Sequence, residues 1–402
     1  MAFASSPIHS FVPLRGWLPS SMRSIAAHYL LDCGQVVERP VVRFDEQGRV
    51  QSVEQWQSLD SLPSTEFYAG ALCAGFVNAH CHTELSYLRG AIARGEGFAA
   101  FAREIGRVRG LFSAEQRQQA LLAADAAMWQ EGVEVVGDVV NDESSFAVKR
   151  RSRISYLSFS EVFGLGSTTE SARRLTENPH TSLTPHSTYS VQDAVFREIA
   201  DEGSQTQRPQ PLSIHFMESD AEAALFRGEG SLAAWYAKMG WQCDFLHYGS
   251  PARRVVESVP HDRGVLLVHN CCVGRDDVRL IESHFDSVGW VLCPRSNDYI
   301  SHLQPPVAML REEGVRICIG TDSLASNDSL SMMAEMSALG HIPLREVARW
   351  ATINGAEALG VEADKGSVER GKHSGIVLIE GVAMEADGEL YLTESSSARR
   401  LV

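Results

Sequence analysis

His80 and His82 stand two residues apart at the end of an apolar run, Leu72–Ala79. In an extended chain such side chains share a face, as two ligands of one metal ion would. Three further apolar runs end in groups of the same kind. One closes on His215, with Glu218 three residues on, another on His269-Asn270, and a third on Gly320-Thr321-Asp322-Ser323. A lone histidine beside a loop is ordinarily a hydrogen-bonded polar residue. Four run ends that all carry imidazole or carboxylate form a set that can hold a cation. Three imidazoles and one carboxylate suit Zn²⁺, Fe²⁺ or a similar divalent ion. Such an ion leaves room for a water and lowers its pKa from about 15.7 towards about 7. Cys81, between the two histidines, points to the opposite face and into the wall.

The elements that must position these groups are short apolar runs alternating with helical stretches, the mark of βα units and a parallel sheet. Eight runs occur: Leu72–Ala79, Val133–Val139, Ile154–Phe159, Ser182–Pro185, Leu212–Phe216, Gly264–Val268, Trp290–Cys293 and Arg316–Gly320. Helices are expected between most of them. Ala114–Glu131 carries Leu121, Leu122, Ala124 and Met128 at helical spacing, and Val191–Ala200 and Ser231–Met239 follow the same pattern. The fold class is therefore α/β. Eight βα units predict a (β/α)₈ TIM barrel over residues 71–364, with its site at the C-terminal strand ends. Outside it, Ala26–Leu31, Val41–Phe44 and Val50–Val53 read as strands, as do Ser374–Ile379 and Leu390–Leu392. They predict a small β-sandwich domain built from the N- and C-terminal segments, residues 25–70 plus 365–402. Residues 1–24, with no acidic residue and with Pro7, Pro13 and Pro19, read as a tail.

The 402 residues carry 36 basic and 51 acidic side chains, a net charge of −15. An acidic surface repels phosphate backbones and anionic lipids, so neither nucleic acid nor membrane is an expected partner. No run of 18 apolar residues occurs to span a bilayer. The eight cysteines form no CxxC pair, which fits buried thiols in a reducing, cytoplasmic setting. A homodimer is compatible with this composition. There is no G-x-S-x-G elbow for a serine nucleophile. His82-x-Glu84 has the form of the nucleotide-deaminase H-x-E motif but lacks the P-C-x-x-C that must accompany it.

Ala74-Gly75-Phe76-Val77-Asn78-Ala79-His80-Cys81-His82, His215-x-x-Glu218, His269 and Thr321-Asp322-Ser323, in that order, resemble the amidohydrolase superfamily. The branch they resemble is that of the cytosine/guanine deaminases and chlorohydrolases. Thr184-Pro185-His186-Ser187-x-Tyr189-Ser190 and Cys293-Pro294-Arg295-Ser296-Asn297 are similar to the aminofutalosine deaminase-like members. The resemblance implies that His80, His82, His215 and Asp322 hold one divalent ion, with Zn²⁺ expected and Fe²⁺ the alternative. It implies that Glu218 shuttles protons and that His269 orients the water or polarises the electrophile. Asp322 is also expected to accept a proton from that water. His186, Arg295 and Asn297 would contact substrate. Binuclear relatives carry a carboxylated lysine on the fourth strand, and Ser182–His186 has none, so a mononuclear site is expected.

The implied reaction is hydrolytic deamination of a small aromatic N-heterocycle, adenine-like and in the narrowest reading aminodeoxyfutalosine, with release of ammonia. Two other readings stay open: hydrolysis of a C–Cl, amide or ester bond at the same site, and a metal-free scaffold. Glu84 either binds substrate or serves as a helix N-terminal carboxylate. Glu161 is an exposed glutamate or a second carboxylate facing the site. Arg295 pairs with a substrate carboxylate or with an acidic loop. Asp328 is expected to cap the helix beginning near Ser329.

Overall fold

The computed structural model describes residues 22–58, 64–202 and 210–402, so most of the expected tail, residues 1–21, lies outside the described residues. The first five strands are β1 (Arg23–Asp32), β2 (Gln35–Glu38), β3 (Pro40–Phe44), β4 (Val50–Gln55) and β5 (Glu66–Cys73). Eight follow: β6 (Phe76–Cys81), β7 (Val133–Val140), β8 (Ser155–Val162), β9 (Thr181–Pro185), β10 (Leu212–Phe216), β11 (Val265–His269), β12 (Val288–Leu292) and β13 (Ile317–Ile319). The chain ends with β14 (Val377–Glu380), β15 (Ala383–Met384), β16 (Leu390–Tyr391) and β17 (Ser397–Arg400).

The middle eight strands form two parallel four-stranded sheets, β6-β7-β8-β9 and β10-β11-β12-β13. A single parallel bridge joins them at each seam, Cys81 with Asp322 and Ser187 with His215. Both seams therefore fall at residues of the expected metal set or beside them. The β6/β13 seam is tied further by Asn78, whose amide donates to Thr321 Oγ1 (2.8 Å) and whose oxygen accepts from the Thr321 N–H (3.1 Å). Side chains alternate between two apolar clusters, Val77, Ala79 and Val135 in one and Phe76 and Val136 in the other, until the register shift between Asn78 and Cys81 turns Cys81 to the second. Burial on both faces explains why these strands read as unbroken apolar runs.

The N- and C-terminal segments do meet, but in one seven-stranded mixed sheet, ordered β17-β14-β5-β1-β3-β4 with β2 on β1. The facing layer of a sandwich is not formed by the described residues. β16 pairs only with β15, and the edge strand beside β14 is β17, which the sequence reading omitted. Leu72–Ala79 is not one strand. Leu72 and Cys73 end β5, and Phe76 begins β6. Gly75 lies at the break and must be glycine, since a Cβ there would lie 2.1 Å from Glu134 Cγ. Glu134 itself is buried and pairs with Lys365 Nζ (2.7 Å) and with Arg400, fastening the C-terminal segment to β7.

The helix Ala114–Glu131 starts in a capping box between Ser113 and Gln116. Leu121, Ala124 and Met128 are buried as its spacing predicts, whereas Leu122 is 49% exposed. Expected Val191–Ala200 and Ser231–Met239 appear as Asp193–Glu202 and Gly230–Lys238.

Candidate metal centre and active site

β6 ends with the backbone carbonyl of His80 accepting from the Thr321 and Asp322 amides, at 3.0 and 3.1 Å. That pairing brings the end of β13 against the two histidines. His82 Nε2 lies 3.1 Å from His80 Nε2 and 3.2 Å from His215 Nε2. Asp322 Oδ1 is 3.6 Å from His82 Nε2. Three ring nitrogens gathered this closely, with a carboxylate oxygen beside them, form the N/O donor set that a divalent ion such as Zn²⁺ would take. Burial and the neighbouring imidazoles hold His80 and His215 well below the ordinary histidine range, so both keep the neutral form a metal ligand needs. Donor type, charge state and spacing thus fit one divalent ion.

The second layer fixes these rings. His215 Nδ1 donates to the His186 carbonyl (2.8 Å), which leaves Nε2 facing its partners. His80 Nδ1 is 3.3 Å from Ser213 Oγ. Asp322 Oδ2 accepts from Ser296 (2.5 Å) and Ser326 (2.9 Å). Burial works against the Asp322 carboxylate, but His82, His269 and Ser296 together hold it below the usual range. Four non-glycine residues at these strand ends have left-handed backbone: Met217 (φ 50°), His269 (80°), Asn270 (59°) and Asp322 (54°). Each such conformation costs ~1–3 kcal/mol and persists where packing dictates it, as at functional sites.

Glu218 and His269 complete the floor. His269 Nδ1 pairs with Asn297 Oδ1 at 2.7 Å, and its Nε2 is 3.9 Å from Glu218 Oε1. Burial pushes the Glu218 carboxyl up, only partly opposed by His269. A carboxyl raised towards neutrality is suited to giving and taking protons.

Above this floor opens a cavity of about 360 Å³. His82, Glu84, Glu161, His186, His215, Glu218, His269 and Asp322 all border it. Its outer wall is carbon, from Phe98, Phe101 and Ile105 on helix Phe98–Val108 and from Leu232, Trp235, Tyr236 and Trp241 opposite. Their 98/101/105 spacing is the helical period that could have revealed this wall in the sequence. His186 stacks on His215 with ring centroids 4.5 Å apart. Glu161, which the sequence left between surface and site, lies at the cavity with Oε1 3.7 Å from His215 Nδ1. Glu84 was expected either to bind substrate or to serve as a helix N-terminal carboxylate. It sits in the first turn of the 3₁₀ helix Thr83–Leu88 and borders the cavity, accepting from the Asn141 N–H (2.9 Å), and burial pushes it up to about 8.

Arg295 and Asn297, expected as substrate contacts, do not border the cavity. Asn297 stands behind His269, and Arg295 pairs with Asp328 (3.3 Å) at the protein surface. Asp328 also pairs with Arg94 (3.1 Å) and caps no helix, since Ser331 is the N-cap of helix Met332–Ala338. Arg295→Ala is expected to leave KM at the wild-type value, because an exposed pair of this kind contributes little. A raised KM would return the guanidinium to the substrate.

Glu222, one turn after Glu218, accepts from Thr188 Oγ1, and burial pushes it up to about 8. A carboxyl raised in the folded state favours folding while protonated. Its contribution is full below the ordinary carboxylate range and is lost as pH rises towards about 8. Glu222→Gln is therefore expected to flatten the decline of Tm above about pH 5. An unchanged slope in a thermal melt series would contradict this.

Comparison with known proteins agrees with this architecture. An adenosine deaminase of Helicobacter pylori is 26% identical over 365 residues, 85% of this chain and 87% of that protein. The H. pylori aminofutalosine deaminase in complex with methylthio-coformycin superposes with a TM-score of 0.77 at 23% identity, covering 94% of this chain and 100% of that one. An adenosine deaminase from Xanthomonas campestris with bound zinc gives 0.71 at 23% identity, covering 89% and 84%. These two structural likenesses show the fold. The sequence pattern of the amidohydrolase family matches residues 71–393, and with that span the chain belongs to the amidohydrolase family.

Proposed function

We propose that this chain is a metal-dependent hydrolytic deaminase that replaces the amino group of an adenine-like N-heterocycle with oxygen and releases ammonia. The observation that carries the reading is the His80/His82/His215 triad of nitrogens, 3.1–3.2 Å apart across His82, beneath a carbon-walled cavity. Zn²⁺ is the ion proposed, held by these three residues and Asp322, in keeping with the N/O donor set and the zinc in the Xanthomonas structure. When bound, it would supply a water whose pKa is lowered from about 15.7 towards about 7.

The protein's own residues do the rest. Glu218 gives a proton to a ring nitrogen, so that the amine-bearing carbon accepts the water oxygen. Glu218 then takes one proton from the attacking water and passes it to the departing amine, which leaves as ammonia with the C–N electron pair, and the remaining hydroxyl proton returns to Glu218 as the carbonyl forms, restoring the acid. His269, its tautomer fixed by Asn297, presents Nε2 to the reacting centre. Glu84, Glu161 and His186 offer polar contacts to the substrate, and the aromatic wall excludes water and covers the ring.

The two parallel sheets are read as halves of one (β/α)₈ barrel, residues 71–364, with the terminal segments 25–70 and 365–402 as a small companion domain. Among the described residues no helix is long and apolar enough to cross a membrane. The eight cysteines, all free thiols, support a cytoplasmic setting. The test is a release screen with zinc-loaded protein over aminopurine nucleosides, pterins and futalosine precursors. Ammonia release from an adenine-type compound is expected. Chloride or carboxylate release without ammonia would replace deamination by the other hydrolyses.

A further inference from the structure

Helix Met332–Ala338 carries a fully buried carboxyl, Glu335, which burial pushes up to about 8, and among the described residues no side-chain cation is bonded to it. Its two oxygens accept from different segments of the chain. Oε1 takes the Asn327 side-chain N–H at 2.6 Å, and Oε2 takes the Arg295 backbone N–H at 3.1 Å. Each segment leads to the site. Asn327 Nδ2 also donates to the Thr321 carbonyl (3.1 Å), and so closes the loop that contains Asp322 and its donor Ser326. Arg295 lies in the first turn of the helix Pro294–Ser301. Its next two residues are Ser296, the other donor to Asp322 Oδ2, and Asn297, the partner of His269 Nδ1.

We infer that Glu335 is a positioning residue, a single buried tether that sets the orientation of both Asp322 and His269. An apolar side chain would fill this interior at lower cost, because a buried carboxyl loses its hydration. What the carboxyl adds is two oxygens that accept from two separate donors at once. Asp322 is held in a left-handed backbone conformation, φ 54°, which needs such external restraint. The sequence separation between Arg295, Asn327 and Glu335 hides the arrangement from any motif.

The inference rests on the reading of Asp322 as a metal ligand, and its test is built on metal affinity. Gln at 335 has one acceptor and one donor group, so it can keep only one of the two bonds. Glu335→Gln and Asn327→Ala should each weaken zinc binding ~10–100-fold, the usual effect of losing a partner behind a ligand. Zinc affinity is measured by chelator competition, and kcat and KM are measured on zinc-saturated protein. A fall in kcat with KM retained is expected. The double variant should be no worse than the more affected single variant, since both cut one tether. Wild-type zinc affinity with only a lowered Tm would overturn the inference, as would additive losses. If Glu335→Gln does not fold, Asn327→Ala carries the same test. If neither folds, Glu335 is a core residue and the inference is overturned. Weakened zinc binding in the variants of a protein that releases no ammonia would sink deamination and leave the tether standing. Unchanged zinc affinity in an active deaminase would do the reverse.

Discussion

Glu218→Gln should lose turnover by ~10²–10⁴-fold while keeping its zinc. Gln matches the shape of Glu and keeps the packing around it, but it cannot carry a proton. Glu218 stands outside the cluster of His80, His82 and His215, and His269 Nε2 lies 3.9 Å from its Oε1. Zinc stoichiometry should therefore be that of the wild type, and kcat should take the loss. Burial raises the carboxyl and so keeps a proton available nearer neutral pH than an exposed glutamate would. Unchanged turnover would remove Glu218 from the proton path. Lost zinc would move it into the ligand set.

Lys149→Met should destabilise the fold by about 3–5 kcal/mol, the usual cost of leaving one buried charge without its partner. Lys149 Nζ lies 2.5 Å from Asp138 Oδ2, and both side chains are buried. Asp138 in turn accepts from the Thr83 N–H (2.8 Å) and hydroxyl (2.7 Å), directly after His82. The pair thus fixes the turn that leaves β6, and its loss should loosen His82 as well. Urea unfolding measures the stability, with zinc affinity as the second reading. Replacing both partners, Asp138→Leu with Lys149→Met, should cost less than Lys149→Met alone, because no charge is then stranded. A single variant as stable as the wild type would mean that water reaches Asp138.

The strand ends that carry His80, His82, His215, His269 and Asp322 were legible because burial on both faces leaves an unbroken apolar run before each of them. Leu212–Phe216 and Ala114–Glu131 were legible to the residue, one preceded by Pro211 and the other opened by Ser113. Where apolar character continued through a break, it misled. Leu72–Ala79 reads as one strand, but its two ends pair in different sheets, with β1 and with β7, and meet at Gly75, where Glu134 and Ser374 leave no room for a side chain. β17, Ser-Ala-Arg-Arg, has no alternation of its own and exists through pairing with β14 and the Arg400–Glu134 contact. The partners behind the site, Asp138 with Lys149 and Glu335 with Asn327, are far from their effects in sequence or on different elements. No spacing rule connects them. For Arg295 the sequence left a substrate carboxylate and an acidic loop as partners, and it pairs with Asp328 of the loop after Asp322.

The account depends on three imidazoles and an aspartate gripping one ion, and crystals of zinc-loaded protein measured at the zinc absorption edge test it most directly. One anomalous peak is expected, within about 2.0–2.2 Å of a ring nitrogen from each of His80, His82 and His215 and of an Asp322 oxygen. A peak that leaves out His215 or Asp322, or no peak among these residues in protein that retains zinc, would contradict it.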